Sequence, residues 1–150
     1  MAERYVGVLL EYESAVNPEP GVVRAPTADE QTRALERLAR QLGGTVITTV
    51  TARQGRGLDR AAIAVVAAEQ SAGLLMLSID ALRCDRHIDI KSLNELWALT
   101  GEIGLLIEDQ HLTDDEAFEY YMIMVVSMNH VRTRDASPEW IAFVSNSAYS

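Results

Sequence analysis

Apolar and polar positions divide the chain into alternating blocks of strand length and helix length. Runs that are apolar or β-branched and have the length of a strand stand at 5–10, 45–51, 74–79 and 103–107. Such runs are typical of buried strands. Between them lie segments whose apolar residues recur at helical spacing, at 27–42, 59–70 and 92–99. The pattern therefore predicts strands that alternate with helices.

Two T-x-x-E segments predict where helices begin. Thr27 with Glu30, and Thr113 with Glu116, have the spacing of a capping box. The first box opens the helix that Gly43-Gly44 ends, and the second opens the longest helical pattern, which runs to about 134. A last short helix is predicted from Ser137.

This alternation favours one fold class. Strands joined by helices of this length form a mainly parallel sheet with helices on both faces. We therefore predict a three-layer α/β domain with a sheet of four to five strands and a long C-terminal helix. At 150 residues, 48% of them hydrophobic, the chain has the size of one domain, 1–150. Its prolines between 11 and 26 predict a long loop after the first strand.

Charge and composition limit the partners and the compartment. The net charge is −9, whereas DNA affinity comes mostly from Lys and Arg that displace counterions from phosphates, so we expect weak or absent autonomous DNA binding. A single cysteine, no leader-like start and no apolar run of membrane-spanning length indicate a cytoplasmic protein without a membrane span.

Sequence motifs for metals and cofactors are incomplete. Cys84 and His87 have C-x-x-H spacing, but a structural zinc site needs four ligands. The glycines at 43–44 and 55–57 lack the frame of a phosphate-binding loop. We therefore expect no metal and no cofactor.

Three motifs, in order, resemble a known family. They are the T-x-x-E-Q segment 27–31, the glycine-containing segment 56–60 that ends in Asp-Arg, and the segment 79–84, Ile-Asp-Ala-Leu-Arg-Cys. Their order and spacing resemble the catalytic domain of the serine recombinases, the resolvase and invertase family. The resemblance covers 6–134, leaves 135–150 as a C-terminal extension, and implies the resolvase catalytic-domain fold.

The resemblance also implies a set of site residues. In that family a serine attacks a DNA phosphodiester while arginines stabilise the developing charge. Here the counterpart of that serine is Ser14 or, alternatively, Thr27. Further vestigial catalytic candidates are Gln31, Arg60 and Asp80. Candidates for DNA contact are Arg24, Arg56, Arg83 and Arg86.

Departures from the family pattern shape the functional prediction. Where the family has arginines, this chain has Tyr12 or Ala25, Ala81 and Cys84. Family members continue into a C-terminal DNA-binding module, and we expect this protein to lack one. We therefore predict a non-catalytic domain that acts as a dimerising or partner-binding module. The alternative is an active or residually active recombinase that uses Ser14.

The long helix 113–134 carries a wide apolar face. Its resemblance to the helix through which the family pairs predicts a homodimer, and a protein partner is also possible on such a face. The predicted interface consists of Phe118, Tyr121, Met122, Val125, Val126 and Met128.

Overall fold

The computed structural model describes residues 2–12 and 25–131. Its strands are β1 (Arg4–Glu11), β2 (Thr45–Arg53), β3 (Gly73–Met76), β4 (Arg83–Cys84), β5 (His87–Ile88), β6 (Ile103–Leu105) and β7 (Gln110–Leu112). Its α-helices are α1 (Ala28–Gln41), α2 (Arg60–Ala68), α3 (Ile90–Thr100) and α4 (Asp115–Val131). A 3-10 helix spans Ile79–Leu82. Most of the predicted loop 11–26 and the helix predicted from Ser137 lie outside the described residues.

Five strands form the main sheet in the order β2-β1-β3-β6-β7. The first four are parallel, and β7 runs antiparallel to β6. Right-handed crossovers place α1 on one face of this sheet and α2 with α3 on the other, because the chain reverses direction across the sheet after β2. The predicted α/β class with a mainly parallel sheet is confirmed.

Side-chain caps fix where the helices begin. The Thr27 hydroxyl accepts from the Glu30 amide at 3.2 Å, and the Glu30 carboxylate accepts from the Thr27 amide at 3.2 Å, so the first capping box is confirmed. The second box is wrong by one residue, because Asp114, rather than Thr113, accepts from the Ala117 amide at 2.8 Å.

Two predicted strands end earlier than their apolar runs. After Met76 the chain turns into the 3-10 helix, which Ser78 opens by accepting from the Asp80 amide at 3.1 Å. After Leu105 it reverses and returns as β7. Both runs stay apolar past the strand because the following residues are also buried or half-buried.

The core lies between the sheet and its helices. Its largest fully buried side chains include Tyr5, Leu35, Leu74, Leu75, Met76, Leu93 and Ile103. Helix α4 closes the core at one side, where Phe118 stacks on Trp97 with ring centroids 4.5 Å apart. No helix within the described residues is long and apolar enough to cross a bilayer.

Candidate functional site

The carboxyl ends of the parallel strands mark the place for a site. The strand order reverses between β1 and β3, and open α/β sheets bind their ligands at such a switch point. Strand β1 ends at this edge, and Ser14 comes three residues after its last residue, Glu11, in the sequence. Ser14 and Arg24 themselves lie outside the described residues, whereas the other candidates are described.

A buried ion pair occupies this edge. Asp80 is 7% exposed and Arg83 is 4% exposed. One carboxylate oxygen of Asp80 accepts from Arg83 Nη2 at 2.5 Å and from Arg83 Nε at 3.2 Å. Arg83 Nη1 donates to the carbonyl of Arg86 at 3.1 Å. The guanidinium of Arg83 is therefore buried, with its charge paired by Asp80 and each of its three nitrogens donating a hydrogen bond.

Next to this pair, Ser78 and Glu108 join the ends of two neighbouring strands. Ser78 follows β3, and its hydroxyl donates to Glu108 Oε1 at 2.7 Å. The same oxygen accepts from the Ile79 amide at 2.9 Å. Burial, with a contribution from the Asp80 carboxylate, raises the pKa of the Glu108 carboxyl. Its second oxygen, Oε2, is buried and has no hydrogen-bond partner among the described residues.

The side chain of Gln31 is buried and hydrogen-bonds to the backbone at the end of β1. Its side chain is 1% exposed. The amide oxygen accepts from the Leu10 amide at 2.8 Å, and the amide nitrogen donates to the Leu10 carbonyl at 2.8 Å and to the Pro26 carbonyl at 3.2 Å. Gln31 thus hydrogen-bonds to the backbone at Leu10 and at Pro26, on the two sides of the segment that contains Ser14.

A small cleft of about 140 Å³ opens at the ends of β1 and β2. Glu11, Arg53 and Arg56 are exposed and line it. One carboxylate and two guanidinium side chains therefore line the cleft together. Arg86 is also exposed, although its backbone carbonyl is engaged by Arg83.

Arg60 forms a separate ion pair on the surface. Its guanidinium is 75% exposed and forms two hydrogen bonds with Glu95 of α3, at 2.9 and 2.7 Å. The hydrogen bonds with Arg60 lower the pKa of the Glu95 carboxyl. This surface pair links α2 to α3, and Glu95 was not singled out from the sequence.

At the positions where the resemblance expects arginines, neutral groups are present. Ala81 is buried on the 3-10 helix. The Cys84 thiol donates to the Arg56 carbonyl at 3.3 Å, and burial together with Asp89 and Asp85 raises its pKa. It is therefore a thiol rather than a thiolate at neutral pH. Thr27, the alternative to Ser14, caps α1.

A second polar cluster lies at the opposite edge of the sheet. Glu102 is 5% exposed and accepts from Tyr5 Oη at 2.7 Å, from the Ala2 amide at 2.6 Å, and bonds His111 Nε2 at 2.7 Å. Burial raises the pKa of the Glu102 carboxyl, but these hydrogen bonds outweigh it and hold the pKa below its usual value. The cluster ties β1, β6 and β7 together.

Sequence reasoning missed Glu102 and Glu108 because their partners are distant in the chain. The available signal was position: Glu102 directly precedes the apolar run 103–107 and Glu108 directly follows it. Within residues 2–12 and 25–131, no group of three His, Cys, Asp or Glu side chains is arranged to hold a metal ion.

The wide apolar face predicted on α4 is divided by the structure. Phe118, Tyr121 and Val125 are at most 5% exposed and pack into the core of their own chain. Burial, with contributions from Glu108 and Asp80, raises the pKa of the Tyr121 hydroxyl. Met122 and Met128 are half-buried and Val126 is 38% exposed. Of the six residues predicted to form the interface, only this second group is accessible to a partner.

Comparisons with known proteins bear on the fold. No family model and no curated protein matches the sequence. Among solved structures, the chain is similar to the N-terminal catalytic domain of TP901-1 integrase, with a TM-score of 0.55 and 16% sequence identity, over 85% of this chain and 95% of that one. The resemblance stated from the motifs is thereby confirmed at the level of architecture: the chain has the α/β fold of a serine recombinase catalytic domain.

Proposed function

We propose that this chain is a non-catalytic serine-recombinase-like domain that works by assembly, as a homodimer or on a protein partner. The buried Asp80–Arg83 pair is the observation that carries the proposal. Phosphodiester cleavage needs cationic donors aimed at the reacting phosphate. Arg83 is 4% exposed and is held by a carboxylate and a carbonyl inside the protein, so its charge is already paired and is shielded from a phosphate at the surface.

The other charged groups support the same proposal. Arg60 is held by Glu95, and Ala81 and Cys84 supply no positive charge. Loss of one donor to developing negative charge costs roughly 100- to 1,000-fold in rate, and at least two are missing here. A carboxylate at Glu11 further opposes a phosphate near the end of β1.

We expect supercoiled plasmid DNA to remain intact on incubation with the full chain, because the transition-state charge is not stabilised. Gel electrophoresis measures nicking, and denaturing gels of radiolabelled DNA detect a covalent adduct. The matched control is Ser14→Ala, which should behave like the unaltered protein. A covalent adduct that Ser14→Ala abolishes would establish the alternative, an active recombinase.

One observation favours that alternative. The cleft at the ends of β1 and β2 holds Arg53 and Arg56 at the edge where the segment with Ser14 begins. Two guanidinium groups could hold a phosphate there. In this alternative, Ser14 attacks the phosphodiester with support from Arg24 and the cleft arginines, and the plasmid experiment decides between the two functions.

Self-association is proposed through the exposed flank of α4. Ile123 is 66% exposed and Val126 is 38% exposed, and half-buried Met122 adjoins them on the helix surface. Contiguous apolar side chains on a helix are a common basis for pairing of helices.

We expect the full chain to be a dimer at about 10⁻⁵ M, a concentration that fills an interface of micromolar affinity. Ile123→Lys should give the monomer, because it places a charge in the apolar contact. Val65→Lys is the control, since Val65 is 40% exposed on α2. Light scattering with size-exclusion chromatography measures the mass, and a monomeric unaltered chain would contradict self-association.

A further inference from the structure

A groove of about 600 Å³ runs between β7 and α4, with β3 and β6 between it and the switch point of the sheet. All three residues of β7, Gln110, His111 and Leu112, line one side of it. Tyr120 and Met124 of α4 line the other. Val126 lies on the other flank of α4, about 160° around the helix from Met124 because successive residues are separated by about 100°, whereas Ile123 adjoins Tyr120 at the border of the groove.

The groove follows the free edge of a strand. Strand β7 is the last in the sheet, and its neighbour within the described residues is β6 alone. Successive side chains of a strand point to opposite faces of a sheet. A groove lined by three consecutive strand residues therefore runs along the edge and not over one face. Outside the ladder with β6, no described backbone group pairs with 110–112.

The helix side of the groove provides apolar contact. Tyr120 is 75% exposed and Met124 is 45% exposed, and they are four residues apart on one face of α4. An aromatic ring and a flexible thioether form an adaptable surface for apolar side chains. An extended chain placed beside β7 would bring every second side chain towards this surface.

The rim of the groove is acidic. Asp114 and Glu116 line it, and no Lys or Arg is among its described lining residues. The Glu116 carboxylate is exposed and has no hydrogen-bond partner in the described part of the chain. A second copy of this chain, with its net charge of −9, is electrostatically disfavoured at such a rim, whereas a basic segment is attracted to it.

We infer that this groove binds an extended segment of a partner protein in which apolar residues alternate with Lys or Arg, and that the segment adds to β7 as a further strand. Backbone hydrogen bonds to β7 give the segment its register, Tyr120 and Met124 receive its apolar side chains, and Glu116 attracts its cations. This inference rests on the proposed function only in that the domain acts by binding protein.

The probe is a fluorescent peptide of about eight residues, the length of an ordinary strand, in which Arg and Lys alternate with Leu and Phe. Fluorescence polarisation measures its binding to the full chain. A peptide with Glu in place of the basic residues tests charge. A third peptide, N-methylated at alternate backbone nitrogens, cannot pair as a strand. We expect only the first to bind, and more weakly as salt is added.

Variants then locate the site. Tyr120→Ala, Met124→Lys and Glu116→Lys should each weaken binding by about tenfold or more. Val65→Lys is the matched control, because it places the same charge as Met124→Lys on an exposed apolar residue of α2, outside the groove. Amide hydrogen exchange at 110–112 should slow when the peptide binds.

Several results would overturn the inference: equal binding of the acidic or the N-methylated peptide, or unchanged binding in all three groove variants. Slow exchange at 110–112 in the peptide-free chain, with no peptide binding, would also overturn it. In that case, amide exchange at 110–112 that becomes faster when the protein is diluted identifies a second copy as the occupant. Exchange that stays slow on dilution identifies residues of the same chain as the occupant. The plasmid experiment is independent of all these outcomes.

Discussion

Asp80→Ala is expected to lower the free energy of unfolding by about 3–5 kcal/mol, the cost of leaving one partner of a buried ion pair without the other. Arg83 stays 4% exposed in the folded chain, and its guanidinium would lose both hydrogen bonds to the carboxylate. Because single domains are stable by only about 5–15 kcal/mol, this loss is a large fraction of the total. Chemical denaturation followed by circular dichroism measures it.

Two controls separate this effect from a general effect of removing charge. Glu95→Ala removes the carboxylate partner of Arg60, whose guanidinium is 75% exposed, and should leave stability unchanged within error. Asp80→Leu combined with Arg83→Met removes both charges and should recover most of the loss. If Asp80→Ala is as stable as the unaltered chain, Arg83 is not the buried, charge-paired group on which the proposed function depends.

This pair shows what motif spacing cannot predict. Asp80 was selected from the sequence as a vestigial catalytic residue and Arg83 as a DNA contact, on the assumption that both faced a substrate. The 3-10 helix Ile79–Leu82 instead brings them together, because residues three apart coincide on its surface. The sequence alone contains no strong signal for a 3-10 turn there, since residues 74–79 continue the apolar pattern of a strand.

The fold was more predictable because local rules determine most of it. The β-branched run at 45–51 lies within β2, and the Thr27–Glu30 box begins α1 as expected. Strand β7 was not predicted, because its three residues Gln110–Leu112 have no apolar periodicity. Its place depends on a reversal after β6 and on the distant contact between His111 and Glu102.

Helix α4 illustrates a related limit. Its apolar spacing predicted the helix correctly, but spacing cannot tell a residue that faces its own core from one that faces a partner. So many residues of the helix are apolar that the sequence pattern did not separate the surface that packs in the core from the surface that faces outward. Packing against Trp97 of α3 determines the orientation, since the Trp97 indole donates to Asp115 at 2.9 Å and stacks on Phe118.

Phe118→Ala therefore tests the assignment of α4 faces, and it should lower the free energy of unfolding by about 3–5 kcal/mol through loss of packing and creation of a cavity. Phe118 is 5% exposed, and its ring lies parallel to Trp97 within 7°. The loss should be the same at low and high protein concentration, because it arises within one chain. Thermal and denaturant unfolding at two concentrations measure it.

Val126→Ala is the matched control on the same helix. Val126 is 38% exposed, so its truncation should change the stability of the single chain little, while weakening any self-association. The opposite result, in which Phe118→Ala leaves the folded chain stable and only dissociates a dimer, would place Phe118 at an interface and contradict its position in the core. The pair of variants thus distinguishes the two sides of α4 without a structure of any complex.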